Sequence, residues 1–142
     1  MEETLETKRE PQGVQVLRTL AMPRDANPRG DIFGGWLLSQ MDIAAGLMAS
    51  EVSQGRAVTV SVDDVVFHQP VAVGDTICVH AHLLKVGRTS MDIHLEVWAR
   101  GLVCAYEAER ELVAEGMFRY VATDEEGRPR PFADNPAYFT RA

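Results

Sequence analysis

The hydrophobic pattern of this chain changes period early. Val14 to Met22 (VQVLRTLAM) has the β-branched character of a strand. PRDANPRGD follows, and its prolines, asparagine and glycine make it a loop. From Gly34 the period becomes helical. Leu37, Met41, Ala44 and Met48 recur at four-three-four spacing, one apolar face of a helix. Leu38, Asp42, Ala45 and Ala49 form a second face of mostly small residues. A helix that is apolar on both faces is buried rather than laid on a surface, and this one is predicted to end near Gly55. Beyond it the period is two. Val58 to Phe67 alternates Val58, Val60 and Val62 against Thr59, Ser61 and Asp63. HQPVAVGD is a turn, Thr76 to Val86 a long strand, and Gly87-Arg88-Thr89 a hairpin tip. Ser90 to Arg100 sets Met91, Ile93, Leu95 and Val97 against Asp92, His94, Glu96 and Trp98. Glu109 to Ala122 gives the last strand.

Short connections imply antiparallel pairing. The expected class is therefore α+β: one long helix on an antiparallel sheet. The domain is placed at 14–131, with a flexible arm over 1–13 and a tail over 132–142. A single sheet covers such a helix only partly, so either the sheet curls around it or a second subunit completes its burial.

With 142 residues, 46% of them hydrophobic and 25% charged, the chain has the composition of one soluble domain. Its net charge of −7 argues against nucleic acid as the main partner, because phosphate binding needs a basic face. It leaves room for an anionic small ligand met by a few local cations. Cys78 and Cys104 form no C-x-x-C pair and read as reduced, buried thiols. The polar start MEETLETKRE carries no apolar signal region, so a cytoplasmic location is expected. The apolar run 32–50 is long enough to span a bilayer. Asp42 near its centre costs about 2.5–3.5 kcal/mol against insertion, however, and no membrane role is expected.

Asp42 is the only charged residue from Ile32 to Ser50. A lone carboxylate in an apolar stretch is costly to bury unless it is paired or hydrogen-bonded, and burial is also what tunes its pKa. That makes it a candidate for chemistry, as a general base toward water or as a direct nucleophile. Gly34 and Gly35 stand where the helix begins. Backbone N–H groups there are unpaired and carry the positive end of the helix dipole, and without side chains a ligand carbonyl can approach them as in an oxyanion hole. Asn27 is a candidate to orient water or the carbonyl. Asp31 reads equally as a helix N-terminal anion. Gly34 and Asp42 lie eight residues apart, about 12 Å along one helix, so one helix cannot bring both to the same carbonyl carbon. Two antiparallel helices from a two-fold dimer can.

In the hairpin, Lys85 and Arg88 are candidates to meet phosphates, with Thr89 and Ser90 as hydrogen-bond donors; a solvated hairpin tip is the simpler reading. Arg56, just past the helix end, is similar. Asp63 and Asp64 are adjacent like charges on a strand, either one acid facing inward or a strand irregularity with both solvated. His68, His80, His82 and His94 show no metal-ligand spacing, and no metal site is expected. Serine-hydrolase, phosphate-loop and dinucleotide signatures are absent from the sequence.

The run NPRGDIFGGWLLSQMDIAAG (27–46) resembles the motif of hotdog-fold acyl-CoA thioesterases, in particular the small YciA-like ones. The resemblance continues through GRAVTVSVDDVVFHQPVAVGD (55–75), KVGRTS (85–90), EVWAR (96–100) and EGMFRYVATDEEGRPRP (115–131). It implies a hotdog fold, a long central helix wrapped by a curved antiparallel sheet. It implies dimers, commonly a trimer of dimers, that hydrolyse acyl-CoA to free acid and CoA with broad acyl tolerance. By the matching positions, Asp42 is the catalytic carboxylate and Asn27 its polar partner. Gly34 and Gly35 provide the oxyanion amides from the opposite subunit. Gly87, Arg88, Thr89, Ser90 and Arg56 hold CoA, which enters only as part of substrate and product; no other cofactor is implied. The acyl chain is expected beside Ala45, Gly46 and Ala49. Close relatives tend to have one acid where this chain has Asp63-Asp64, which leaves Asp63 outside the expected site. The alternative on the same fold is a non-catalytic acyl-CoA-binding sensor.

Overall fold

In the computed structural model, residues 9–101, 109–135 and 137–138 are described. Strand β1 (Val14–Leu20) leads through a 3-10 turn at Pro23–Asp25 to helix α1 (Gly34–Ser53). Four strands follow: β2 (Ala57–Phe67), β3 (Thr76–Val86), β4 (Ser90–Arg100) and β5 (Glu111–Ala122). They form one antiparallel sheet in the order β1-β3-β4-β5-β2, with β1 and β2 at its edges. The first residues after helix α1 thus form one edge of the sheet, and the helix packs against all five strands.

The expected helical face is the core-facing one. Leu37, Met41, Ala44, Ala45, Met48, Ala49 and Val52 are buried against Ile77, Val79, Met91, Ile93, Leu95, Val97 and Phe118. The helix ends without a glycine in the left-handed conformation. Gln54 takes that role at φ 54°. Gly55 is needed for room instead: a Cβ there would lie 2.3 Å from the Arg130 guanidinium, which reaches the carbonyls of Ser53, Arg56 and Thr123.

Strand β2 departs from simple alternation. A bulge between Asp63 and Val66 places Asp64 at φ 53°, a conformation that aspartate tolerates better than most residues. Both acids are exposed, so the pair is a strand irregularity rather than an inward acid. The bulge turns Val65 toward the core, where a Cβ on Gly116 would meet it at 2.8 Å. Val58, Val60, Val62 and Val66 stay about half exposed, at 46–52%.

The packed chain runs past the expected boundary at 131. Phe132 is buried in the core, and the Asn135 side chain donates to the Glu51 carbonyl at 2.8 Å. Cys78 is a buried free thiol; Cys104 lies outside the described residues.

Candidate active site

Asp42 is not buried within one chain. It lies on the open side of α1 and is solvent-exposed, between the fully buried Met41 and Ala45. The expectation of burial fails because the apolar run around it has three faces rather than two. Its third face, with Ile43 and Leu47 each 50% exposed, points away from the sheet. The carboxylate is nonetheless held. Thr59 Oγ1 donates to Asp42 Oδ1 at 2.6 Å. The Tyr120 hydroxyl donates to the same oxygen and also lies 2.7 Å from the Asp42 main-chain carbonyl. Thr59 and Tyr120 stand opposite each other across β2 and β5. Burial, then the Asp42 carboxylate, pushes the Tyr120 phenol well above its usual range. It therefore remains a protonated donor.

Tyr120 and Thr59 were not singled out by the sequence patterns. Tyr120 continues the core alternation of Phe118, and Thr59 reads as an ordinary strand polar residue. One signal was available: a buried phenol needs a hydrogen-bond partner, and Asp42 is the only carboxylate the helix offers between Gly34 and Ser50.

Asn27 does not meet Asp42 in the same chain. Its Oδ1 accepts from the amides of Arg29 at 2.9 Å and Asp31 at 3.1 Å, and its own amide donates to the Asp31 carbonyl at 2.7 Å. It therefore shapes the loop that delivers the helix start. That loop is pinned further by Phe33 N–H to Asp25 and Ile32 N–H to Val71. Asp31 is exposed and bridges Ala72.

Helix α1 begins after Phe33, whose extended backbone provides no side-chain cap. The amides of Gly34 and Gly35 precede the first intrahelical acceptor and have no backbone partner among the described residues. A Cβ on Gly35 would meet nothing within 4 Å, and one on Gly34 would face the Phe67 ring at 3.3 Å. Beside them a cleft of about 250 Å³ opens, lined by Gly34, Leu37, Phe67, His68 and Pro70 among others. This open space lies at the helix start. Ala45 and Ala49 are sealed in the core, so they do not line the acyl groove expected beside them. Gly46 is half-buried next to the Tyr120 ring.

The hairpin expected to hold CoA shares the end of the sheet that carries Asp42. Ala122, two residues beyond Tyr120, donates its amide to the Thr89 carbonyl at 2.8 Å. Thr123 donates to the Arg56 carbonyl at 2.9 Å, so Arg56 joins the same corner. Arg88 and Lys85 are exposed there. Gly87 leaves space for Ser90 Oγ, which would lie 2.6 Å from a Cβ. The nine expected residues thus fall into two groups along the site helix: Asn27, Gly34 and Gly35 at its start, and Asp42 near its middle, with the hairpin Gly87–Ser90 and Arg56 beyond.

The histidines, scattered in sequence, are partly gathered by the topology. On the outer face of the sheet, His94, Glu96 and Glu115 bring donor atoms within 4.8 Å of one another. His68 Nε2 lies 2.7 Å from Glu115. A cation already serves this cluster: Arg9 contacts Glu96 at 2.7 Å and Glu115 at 3.1 Å. Trp98 Nε1–H and the Gln12 amide complete the bonds to buried Glu96. Hydrogen bonding from Arg9 first, then from His68 and His94, holds the Glu115 carboxyl down to about 2.

One long helix on a five-stranded curved antiparallel sheet, with a carboxylate on the helix's open side, defines a hotdog thioesterase, and residues 29–105 match the Thioesterase superfamily. The chain belongs to that family. Within it, the acyl-CoA thioester hydrolase YciA of Salmonella typhimurium is 51% identical over 121 residues, 85% of this chain and 91% of the relative. A hexameric thioesterase from Yersinia pestis superposes with a TM-score of 0.82 at 48% identity, covering 89% of this chain and all of the other. A hexameric broad specificity acyl-coenzyme A thioesterase, solved as an aspartate-to-alanine mutant enzyme, gives 0.84 at 44% identity over 88% and 90% of the two chains.

Proposed function

We propose that this protein hydrolyses acyl-CoA thioesters to a free carboxylic acid and CoA, at sites each built from two chains. One observation carries the reading. Asp42 is a carboxylate fixed through one oxygen, solvent-exposed, and set on a helix whose start offers amides without an intrahelical partner beside a cleft. The similarity to acyl-CoA thioester hydrolases supplies the substrate class.

In the proposed reaction the thioester carbonyl oxygen rests on the Gly34 and Gly35 amides of one chain, oriented by the loop that Asn27 shapes. Asp42 of the other chain either takes a proton from a water that adds to the carbonyl carbon or attacks that carbon itself. The tetrahedral oxyanion is met by the amides. Its collapse breaks the carbon–sulfur bond, and the CoA thiolate leaves and takes up the proton that water gives up; where Asp42 attacks directly, water then hydrolyses the resulting mixed anhydride, freeing the acid and restoring the carboxylate. Lys85, Arg88 and Arg56, all exposed, would meet the CoA phosphates. Nothing in this route calls for a metal or redox cofactor.

The assembly follows from surface chemistry. Strand β2 is an eleven-residue edge strand, and such an edge pairs unless it is blocked. Val58, Val60 and Val62 on it, with Phe33, Ile43 and Leu47 on or before the helix, are 46–52% exposed. Apolar side chains left uncovered on an edge strand and on the open face of a helix mark an interface, and an isologous dimer there would set two helices antiparallel. Hexameric relatives support further assembly as a trimer of dimers. No helix among the described residues is long and apolar enough to cross a membrane, and a cytoplasmic enzyme is the proposal.

Free-thiol release from short-, medium- and long-chain acyl-CoAs tests this, with Asp42→Asn alongside. Turnover should fall by about a thousandfold or more in the variant, the range typical of losing a central acid–base or nucleophilic group. Tight acyl-CoA binding without turnover by the wild type would instead favour the sensor.

A further inference from the structure

We infer that Tyr120 is a positioning residue for the hydrolysis: its buried hydroxyl fixes one carboxylate oxygen of Asp42 and thereby aims the other at the thioester. The inference rests on Asp42 being the carboxylate of the reaction.

Tyr120 is 2% exposed, on the core side of β5. A ring packed this way has no freedom to follow its hydroxyl, so the hydroxyl is a fixed point. That point engages Asp42 twice, through the carboxylate and through the main-chain carbonyl. Holding both parts of one residue selects a single side-chain rotamer. Thr59 adds a second donor, at 2.6 Å, to the same Oδ1. An ionised carboxylate oxygen accepts about two hydrogen bonds, so Oδ1 is filled. Among the described residues Oδ2 has no hydrogen-bond partner, and Asp42 as a residue is solvent-exposed. The two oxygens are thus distinguished, one as anchor and one for chemistry.

The two anchors are not equivalent. Thr59 is an exposed residue on an edge strand, just before a register shift. Its hydroxyl can rotate, while that of Tyr120 is set by the core. Tyr120 is also the titratable group that touches the Asp42 carboxylate among the described residues; β2 contributes the neutral Thr59. A donor to the charged form favours that form, and removing the Tyr120 hydroxyl withdraws one such donor from the carboxylate.

Tyr120→Phe removes the hydroxyl and keeps the ring. It should lower kcat by about 10- to 100-fold, with KM within about twofold, since the lost contact orients a reacting group and binds no substrate. The acidic limb of the kcat/KM–pH profile should move to higher pH. Replacing Tyr120 with 3-fluorotyrosine, a stronger donor of nearly the same shape, should move that limb to lower pH, and it serves if the Phe variant folds poorly. A purely structural role would move neither limb. Asp42→Asn, measured in parallel, separates the two levels of the reading. An active Asp42→Asn would overturn the role of Asp42 itself. A dead Asp42→Asn with wild-type kcat and an unmoved limb in both Tyr120 variants would overturn the inference about Tyr120 alone.

Discussion

The start of helix α1 and the stretch around Asp42 both contribute to the candidate site, yet they are built on opposite plans. At the start the functional groups are main-chain amides, and what matters is the absence of side chains: Gly34 and Gly35 leave the amides open beside a cleft. Around Asp42 the functional group is a side chain, held by two others from two strands. The first plan needs backbone geometry alone and is set by a local loop in which Asn27 bonds to its own neighbours. The second needs the whole sheet, because Thr59 and Tyr120 come together only when β2 and β5 pair. In the proposed reaction neither plan makes a complete site: about 12 Å of helix separates them, and a second copy running the other way would bring an amide start to a carboxylate.

The largest effect should come from disabling each plan in a different chain. Gly34→Pro deletes one amide at a position where proline is compatible: Phe33 is already extended at ψ 136°, as a residue before proline must be. Loss of one oxyanion donor costs about 100- to 1,000-fold in kcat, and Asp42→Asn should cost more. Co-expressed in equal amounts, these two nearly inactive chains should recover about a quarter of the wild-type activity. Half of the dimers are mixed, and each mixed dimer keeps one intact site. Sites contained within single chains would recover nothing, so activity that stays at the background of the parents would exclude the two-chain site.

A smaller effect separates both plans from the hairpin corner. Arg88→Ala should raise KM for acyl-CoA by about threefold to tenfold at unchanged kcat, with the difference shrinking at high salt, because an exposed cation contributes binding that is equal in ground and transition states. A fall in kcat with KM unchanged would place Arg88 in the chemistry and remove it from CoA binding.

How much of this was legible beforehand follows the same division. The helix, the strands and the amide start are local, and period, prolines and glycines mark them within a residue or two. The lone charge marked Asp42. What surrounds Asp42 was not legible, because a residue partnered across strands 61 positions apart leaves no local trace: Thr59 and Tyr120 look like members of ordinary alternation. Burial was misjudged for a related reason. Periodicity shows which helical positions are apolar, but not how many of those faces the chain itself can cover, and here Ile43 and Leu47 remain uncovered. His68 and His94 show the converse, since they share Glu115 only because topology brings the end of β2 beside β4 and β5.

That outer-face cluster supplies the mildest test, one of stability without chemistry. Glu96 and Glu115 stand directly opposite on β4 and β5, a pairing that destabilises a sheet unless a cation intervenes. Arg9 intervenes, and with His68 and His94 it lowers the Glu115 carboxyl from its usual 4.5 to about 2. A carboxyl depressed in the folded state stabilises fully above its unfolded value and loses that contribution as pH falls through the folded one. The window for Glu115 is therefore pH 4.5 down to about 2. Glu115→Gln keeps the shape and removes the charge, at a cost of roughly 1–2 kcal/mol near neutrality once solvent screening and relief of the repulsion with Glu96 are allowed for. Urea midpoints should show a constant gap between wild type and variant down to about pH 5 that narrows below 4.5, with turnover unchanged at pH 7. A gap that stays constant through the acid range would mean that the ion pairs to Glu115 contribute nothing to folding. A loss of turnover without loss of stability would tie the outer face to the site on the other side of the sheet, which the separation of the two faces gives no reason to expect.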